Sequence, residues 1–103
     1  MQYRELGRSG LSVSILSLGS GGPKKLGQAD GMTQIDQTNL VRRALDLGVN
    51  LIDTSTSYGD SEIILGNALM GVPRERYHLS TKWVPRIGGS LVQDPQALID
   101  SVE

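Results

Sequence analysis

The stretch GVNLIDTSTSYGDSEIILG, residues 48–66, decides how this chain is read. Gly48 suits the position just past a helix end. Asn50 to Ser55 then reads as a strand, along which side chains alternate faces. Leu51, Asp53 and Ser55 point one way, Ile52 and Thr54 the other. A polar loop carries Tyr58. A helix begins near Ser61, whose hydroxyl is placed to cap it, with Asp60 and Glu62 at its positive end. Strand, loop and helix in succession form the repeating unit of parallel α/β folds.

Working back toward the start, a helix runs from about Thr33 or Asp36 to Leu47. Leu40, Ala44 and Leu47 recur at helical spacing, with Val41 and Leu45 beside them. Thr33 and Asp36 are both plausible N-caps. Before it lies a flexible loop over residues 24–32, and before that the breaker-rich residues Gly19 to Pro23. Ile15 to Leu18 reads as a short buried strand. Residues 1–14 read as a hairpin, with Gln2 to Leu6 and Leu11 to Ser14 flanking the glycines Gly7 and Gly10.

Working forward, Ile63, Ile64 and Leu65 continue into Ala68 and Leu69, and Gly71 to Pro73 ends that helix. Gly66 inside it implies close packing against a neighbouring strand, since glycine costs about 1 kcal/mol there relative to alanine. His78 to Trp83 reads as the third strand, with Ser80 and Lys82 on one face. Asp94 and Pro95 open a third helix as N-cap and first residue, and Leu98 and Val102 share one of its faces.

The order is hairpin, β, α, β, α, β, α, which implies a parallel sheet with right-handed crossovers. Two architectures satisfy it. One is an open three-stranded sheet covered on one face. The other is part of a (β/α)₈ barrel, which takes about 250 residues. The 103 residues would then supply about three of the eight units, as one partial domain stopping in the third helix.

Composition excludes several classes. A net charge of -1, with 20% charged residues, gives no basic excess for nucleic acid and no charged run for a membrane surface. Without cysteine there is no disulfide, zinc–thiolate or thiol chemistry. That absence is compatible with the cytoplasm. Residues 1–5 do not begin a signal peptide, and no apolar run approaches the roughly 20 residues needed to span a bilayer.

Asp53 and Lys82 each stand near the carboxyl end of a strand, where parallel α/β folds bind ligands. If both face inward they can pair, and Tyr58 can reach over them. A free tyrosine, with a pKa of about 10, is a poor acid at neutral pH. A neighbouring lysine cation favours phenolate, and a carboxylate keeps that lysine charged. The group would be a phenol ready to protonate a developing alkoxide. Each residue also has a bland reading: Asp as a turn residue, Lys solvated, Tyr packing.

Residues 48–69 resemble the signature segment of the aldo-keto reductases. LGRSGLSVSILSLG, residues 6–19, resembles the family's opening, and PRERYHLSTK, residues 73–82, its third strand. The resemblance covers nearly the whole chain, in order and at family spacing. It implies the N-terminal part of a (β/α)₈ barrel, closed at its bottom by the hairpin. It also implies reduction of aldehydes or ketones by NADPH or NADH, with a small carbonyl compound as partner. By resemblance, Tyr58 matches the general acid, Lys82 its partner and Asp53 the counter-ion of the lysine. Gly19, Ser20 and Asp53 match positions near the nicotinamide. Trp83 falls where the family often places a residue near the substrate, although packing between helix and sheet explains it equally.

In that family the catalytic histidine lies on the next strand, beyond Glu103, and the phosphate-binding segments come later still. His78 precedes Lys82 by four residues, about 13 Å along a strand, and is read as structural. Gly19 to Gly21 lacks the third glycine of a dinucleotide fingerprint, since Lys24 stands there. Gly22 and Gly27 have P-loop spacing, but Gln28 and Ala29 follow. Lys24 and Lys25 read as a solvated loop. These 103 residues alone are therefore expected to be inactive or nearly so. Two exposed strand edges invite association, so a non-catalytic module acting through self-association is the alternative reading. A small independent ligand-binding domain is a third.

Overall fold

The computed structural model describes residues 1–102. The chain opens with an antiparallel hairpin of β1 (Tyr3–Glu5) and β2 (Ser12–Ser14), with Tyr3 opposite Ser14. Gly7 and Gly10, at φ 57° and 77°, turn the chain between them. The left-handed region penalises any residue with a Cβ. Next come β3 (Leu18–Gly19), α1 (Gln34–Asp46), β4 (Leu51–Asp53), α2 (Ser61–Ala68) and β5 (His78–Ser80). A small hairpin of β6 (Arg86–Ile87) and β7 (Ser90–Leu91) precedes α3 (Pro95–Val102).

β3, β4 and β5 form a parallel sheet in that order. Leu18 pairs with Ile52 and Ile52 with Leu79, while Gly19 pairs with Asp53 and Asp53 with Ser80. The first row faces the helices and the second faces away. α1 and α2 lie against Ile52, and the core gathers Val41, Leu45, Ile64, Leu65, Ala68, Leu69 and Tyr77 around it. This is the parallel β/α succession of a barrel, with about three of its units present. β3 and β5 are both edges.

The hairpin attaches at the amino end of β4. Asn50 Oδ1 accepts from the Ser14 N–H at 2.7 Å, and the Asn50 N–H donates to Ser14 Oγ at 3.0 Å. The Tyr3 hydroxyl donates to the Gly48 carbonyl at 2.7 Å. The hairpin thus sits at the end of the sheet opposite Asp53, as a barrel floor requires.

The local signals held in several places. Thr33, not Asp36, caps α1: its Oγ1 accepts from the Asp36 N–H at 3.2 Å. Gly48 takes φ 98° beyond the helix. Asp94 Oδ1 accepts from the Gln96 N–H at 3.0 Å at the start of α3.

Other expectations are corrected. Ile15 and Leu16 do not belong to a buried strand: they are 52% and 63% exposed, and β3 holds only Leu18 and Gly19. The Ser14 hydroxyl donates to the Leu16 carbonyl and bends the chain out of the sheet there. On α1 the buried stripe is Gln37, Val41 and Leu45, while Leu40 and Leu47 are exposed. Periodicity allowed either neighbouring stripe, and contact with α2 selects one. Ser61 does not cap α2; its hydroxyl donates to the Ser20 carbonyl at 2.8 Å. Gly66 meets nothing within 4 Å of where a Cβ would stand, so strand packing does not account for it. The hairpin over residues 86–91 was not anticipated. Its signal is Gly88 and Gly89, a two-residue turn with φ 58° and 83°. Glu103 lies outside the described residues.

Candidate active site

Asp53 ends β4 on the face turned away from the helices, flanked by Gly19 and Ser80. Lys82 lies two residues past Ser80. The backbone keeps the two segments together beyond the strands. Thr54 N–H donates to the Ser80 carbonyl at 2.8 Å, and Thr56 N–H to the Lys82 carbonyl at 3.1 Å. Hydroxyls of Ser55 and Thr56 add donors to the same Lys82 carbonyl, at 3.3 and 3.2 Å. The lysine stem therefore starts from a fixed point.

From there Lys82 Nζ stands 2.9 Å from both Asp53 carboxylate oxygens. Tyr58 comes from the loop between β4 and α2, its ring centroid 5.2 Å from Nζ. Strand arithmetic thus anticipated the Asp53–Lys82 pair and the approach of the phenol. The floor beneath the tyrosine is Gly21. A Cβ there would stand 2.8 Å from Cε2 and Cζ of the ring, so the ring lies directly on backbone.

Ser20 is fully buried, and both its N–H and its hydroxyl donate to the Asp53 carbonyl, at 3.0 and 2.9 Å. It fixes the end of β4 rather than presenting a free hydroxyl. Gly19 beside it is open, with nothing within 4 Å of a Cβ position. That leaves open space over Gly19, beside Asp53. Gly19 and Asp53 therefore stand side by side on the exposed face of the sheet. Trp83, one residue past Lys82, is half-buried. His78 pairs with Leu51 at the amino end of β5, away from Asp53.

The charges reinforce one another. The hydrogen bond from Lys82 holds the Asp53 carboxyl below its ordinary value of 3.8, against a smaller effect of burial. The same bond raises Lys82 above its ordinary 10.5, with the Asp53 charge and the Tyr58 phenol adding to it. The carboxylate contributes stability above its unfolded pKa and loses it as pH falls through the lower folded value. The ammonium contributes below its unfolded pKa and loses it as pH rises through the higher folded value. The pair is thus intact throughout the neutral range. With side chains 47% and 39% exposed, it is screened by solvent and salt, and serves orientation more than stability. Following the Asp53 carboxyl carbon by NMR, we expect a titration midpoint below 3.8 that moves upward in Lys82→Met. An unmoved midpoint would contradict the pairing.

The aldo/keto reductase family model matches residues 16–100. A 6-dehydroglucose reductase of Novosphingobium aromaticivorans is 39% identical over 90 residues, covering 78% of this chain and 28% of its own length. An NADH-specific methylglyoxal reductase of Escherichia coli is 39% identical over 88 residues, covering 80% of this chain and 26% of its own. A crystal structure of a thermostable aldo-keto reductase with the inhibitor epalrestat superposes with a TM-score of 0.67 at 30% identity. That match covers 82% of this chain and 32% of the other. The chain thus spans about a quarter of the length of the curated relatives it matches.

Proposed function

Because this chain belongs to the aldo/keto reductase family, we propose that Asp53, Tyr58 and Lys82 form the proton-delivering part of a carbonyl reductase. The observation that carries this is the clustering of an acid, an amine and a phenol at the carboxyl ends of β4 and β5. A reduced nicotinamide, NADPH or NADH, would be held beside Gly19, Ser20 and Asp53 and would supply the hydride for the carbonyl carbon. Delivery of the proton falls to side chains of this chain. The Tyr58 hydroxyl gives its proton to the carbonyl oxygen as negative charge develops there. The O–H bond of the phenol breaks as that of the alcohol forms. The Lys82 ammonium stabilises the negative charge left on the phenol oxygen. Asp53 holds the ammonium in place through both of its oxygens. Substrate lies on the open face above Asp53, with Trp83 as a candidate wall.

The test uses the protein as its gene encodes it. Oxidation of NADPH and of NADH is followed with a panel of aldehydes and ketones. The panel includes 6-dehydroglucose and methylglyoxal, the compounds in the names of two relatives. The expected result is cofactor oxidation with one alcohol formed per cofactor consumed. No alcohol from any carbonyl, with either cofactor, would overturn the reading. A stable oligomer that binds neither cofactor would point instead to a role through association.

A further inference from the structure

The loop between β3 and α1 is long and glycine-rich, and past Gly21 the chemistry above assigns it no role. It is nonetheless anchored. Leu26 is buried in the core, and its carbonyl accepts from Gln37 Nε2 of α1 at 3.2 Å. From this anchor one short 3-10 turn, Gln28–Asp30, projects toward the loop that carries Tyr58.

The side chain of Gln28 spans that second loop. The two N–H groups of its Nε2 are shared among the Tyr58 carbonyl at 3.1 Å, Ser61 Oγ at 3.0 Å and the Lys25 carbonyl at 2.7 Å. Its Oε1 accepts from the Asp60 N–H at 2.9 Å. One carboxamide thus grips the backbone on both sides of Gly59. Gly59 has φ 58°, and a Cβ there would run into Gln28 Oε1, so the grip has room only because this residue is glycine. Ser61, fully buried, accepts from Gln28, and its hydroxyl donates to the Ser20 carbonyl at 2.8 Å. Gly21, from the same loop, lies under the Tyr58 ring. The tyrosine is therefore held at its carbonyl, at the N–H two residues on, and under its ring, all by residues 20–28.

A loop tyrosine needs this. Its own loop gives Tyr58 two local bonds, from its N–H to the Ser55 carbonyl and to its carbonyl from the Ser61 N–H, both at 3.1 Å, and its neighbours Thr56, Ser57, Gly59 and Asp60 are exposed. The brace from Gln28 adds contacts from a separate segment to these bonds within the loop. A misplacement of about 1 Å can cost a reaction on the order of 100-fold.

We propose that Gln28 is a positioning residue for the Tyr58 phenol, its carboxamide clamping the backbone around Gly59 while Gly21 seats the ring. This rests on the proposed proton-donor role of Tyr58, and its test is separable from that role. Tyrosine is labelled with ¹³C at Cζ in the full protein, and the Tyr58 resonance is assigned by its loss in Tyr58→Phe. In Gln28→Met, which keeps length and removes every hydrogen bond, the Tyr58 resonance should shift or broaden while Tyr3 and Tyr77 stay put. Gly21→Ala, whose methyl displaces the ring directly, should do the same. An unchanged Tyr58 resonance in Gln28→Met overturns the proposal, whether or not the protein reduces carbonyls, and Gly21→Ala shows that the resonance reports displacement of the ring. Where reduction is measurable, Gln28→Met should lower kcat about 10- to 100-fold with KM little changed. In a Tyr58→Phe background it should cost nothing further. An equal loss in that background would mean that Gln28 acts through general structure, and would also overturn the proposal.

Discussion

Tyr58→Phe is expected to lower kcat for carbonyl reduction by about 10²- to 10⁴-fold, the range for losing one positioned acid. The substitution removes a single oxygen. The ring still rests on Gly21 and still lies near the Lys82 ammonium. The backbone clasp from Gln28 reaches only the Tyr58 carbonyl and the neighbouring residues, so it survives as well. What disappears is the one proton that the transition state needs. That interaction strengthens only as charge develops on the substrate oxygen, so kcat should fall while KM stays near its parent value. Steady-state rates with both cofactors, and direct measurement of alcohol formed, check this. Equal rates in parent and variant would remove Tyr58 from the role given to it.

The second large effect concerns the fold. Ile52→Ala should destabilise the protein by about 2–5 kcal/mol, the usual cost of cutting a buried isoleucine to alanine. Ile52 has no exposed surface and stands at the centre of the cluster between the sheet and the two helices. It is also one residue from Asp53, on the opposite face of β4. Whole domains are stable by only about 5–15 kcal/mol, so this one change removes a large share. Chemical denaturation of parent and variant measures it. Ile52→Val, which removes one methylene, should cost about 0.5–1.5 kcal/mol. If alanine costs no more than valine, Ile52 is not the centre of the core.

These two neighbours illustrate how much of the site was legible in advance. Alternation along one strand separates Ile52 from Asp53 without any coordinates, since a strand has period two. The same alternation, with the position of Lys82 after Ser80, placed acid and amine on one side. Register then matched Asp53 with Ser80 and brought Lys82 within 2.9 Å of the carboxylate. Helix periodicity was less decisive. On α1 the stripes beginning at Gln37 and at Leu40 both look apolar enough to bury. Only the approach of α2 buries Val41 and Leu45 and leaves Leu40 and Leu47 in solvent.

Leu79 shows the same limit from the other side. Alternation puts it on the helix-facing side with Ile52, yet it is 44% exposed. It lines an open groove with Leu65, Leu69, Met70 and Tyr77, beside Thr54, whose buried hydroxyl has no partner among the described residues. Burial depends on what covers a surface as well as on which way the surface points.

The sequence by itself determined the alternation of β3, α1, β4, α2 and β5, the cap at Asp94, and the strand faces that allow Asp53 and Lys82 to pair. Those follow from short-range rules: strand alternation, capping chemistry and the conformational freedom of glycine at Gly48. The tertiary structure alone decided that Ser61 turns away from its own helix to Ser20, and that Gln28 bridges to Tyr58 and Asp60 across some thirty residues of chain. No local pattern records a hydrogen bond between two loops, because its partners are brought together only by the packing of the elements that carry them.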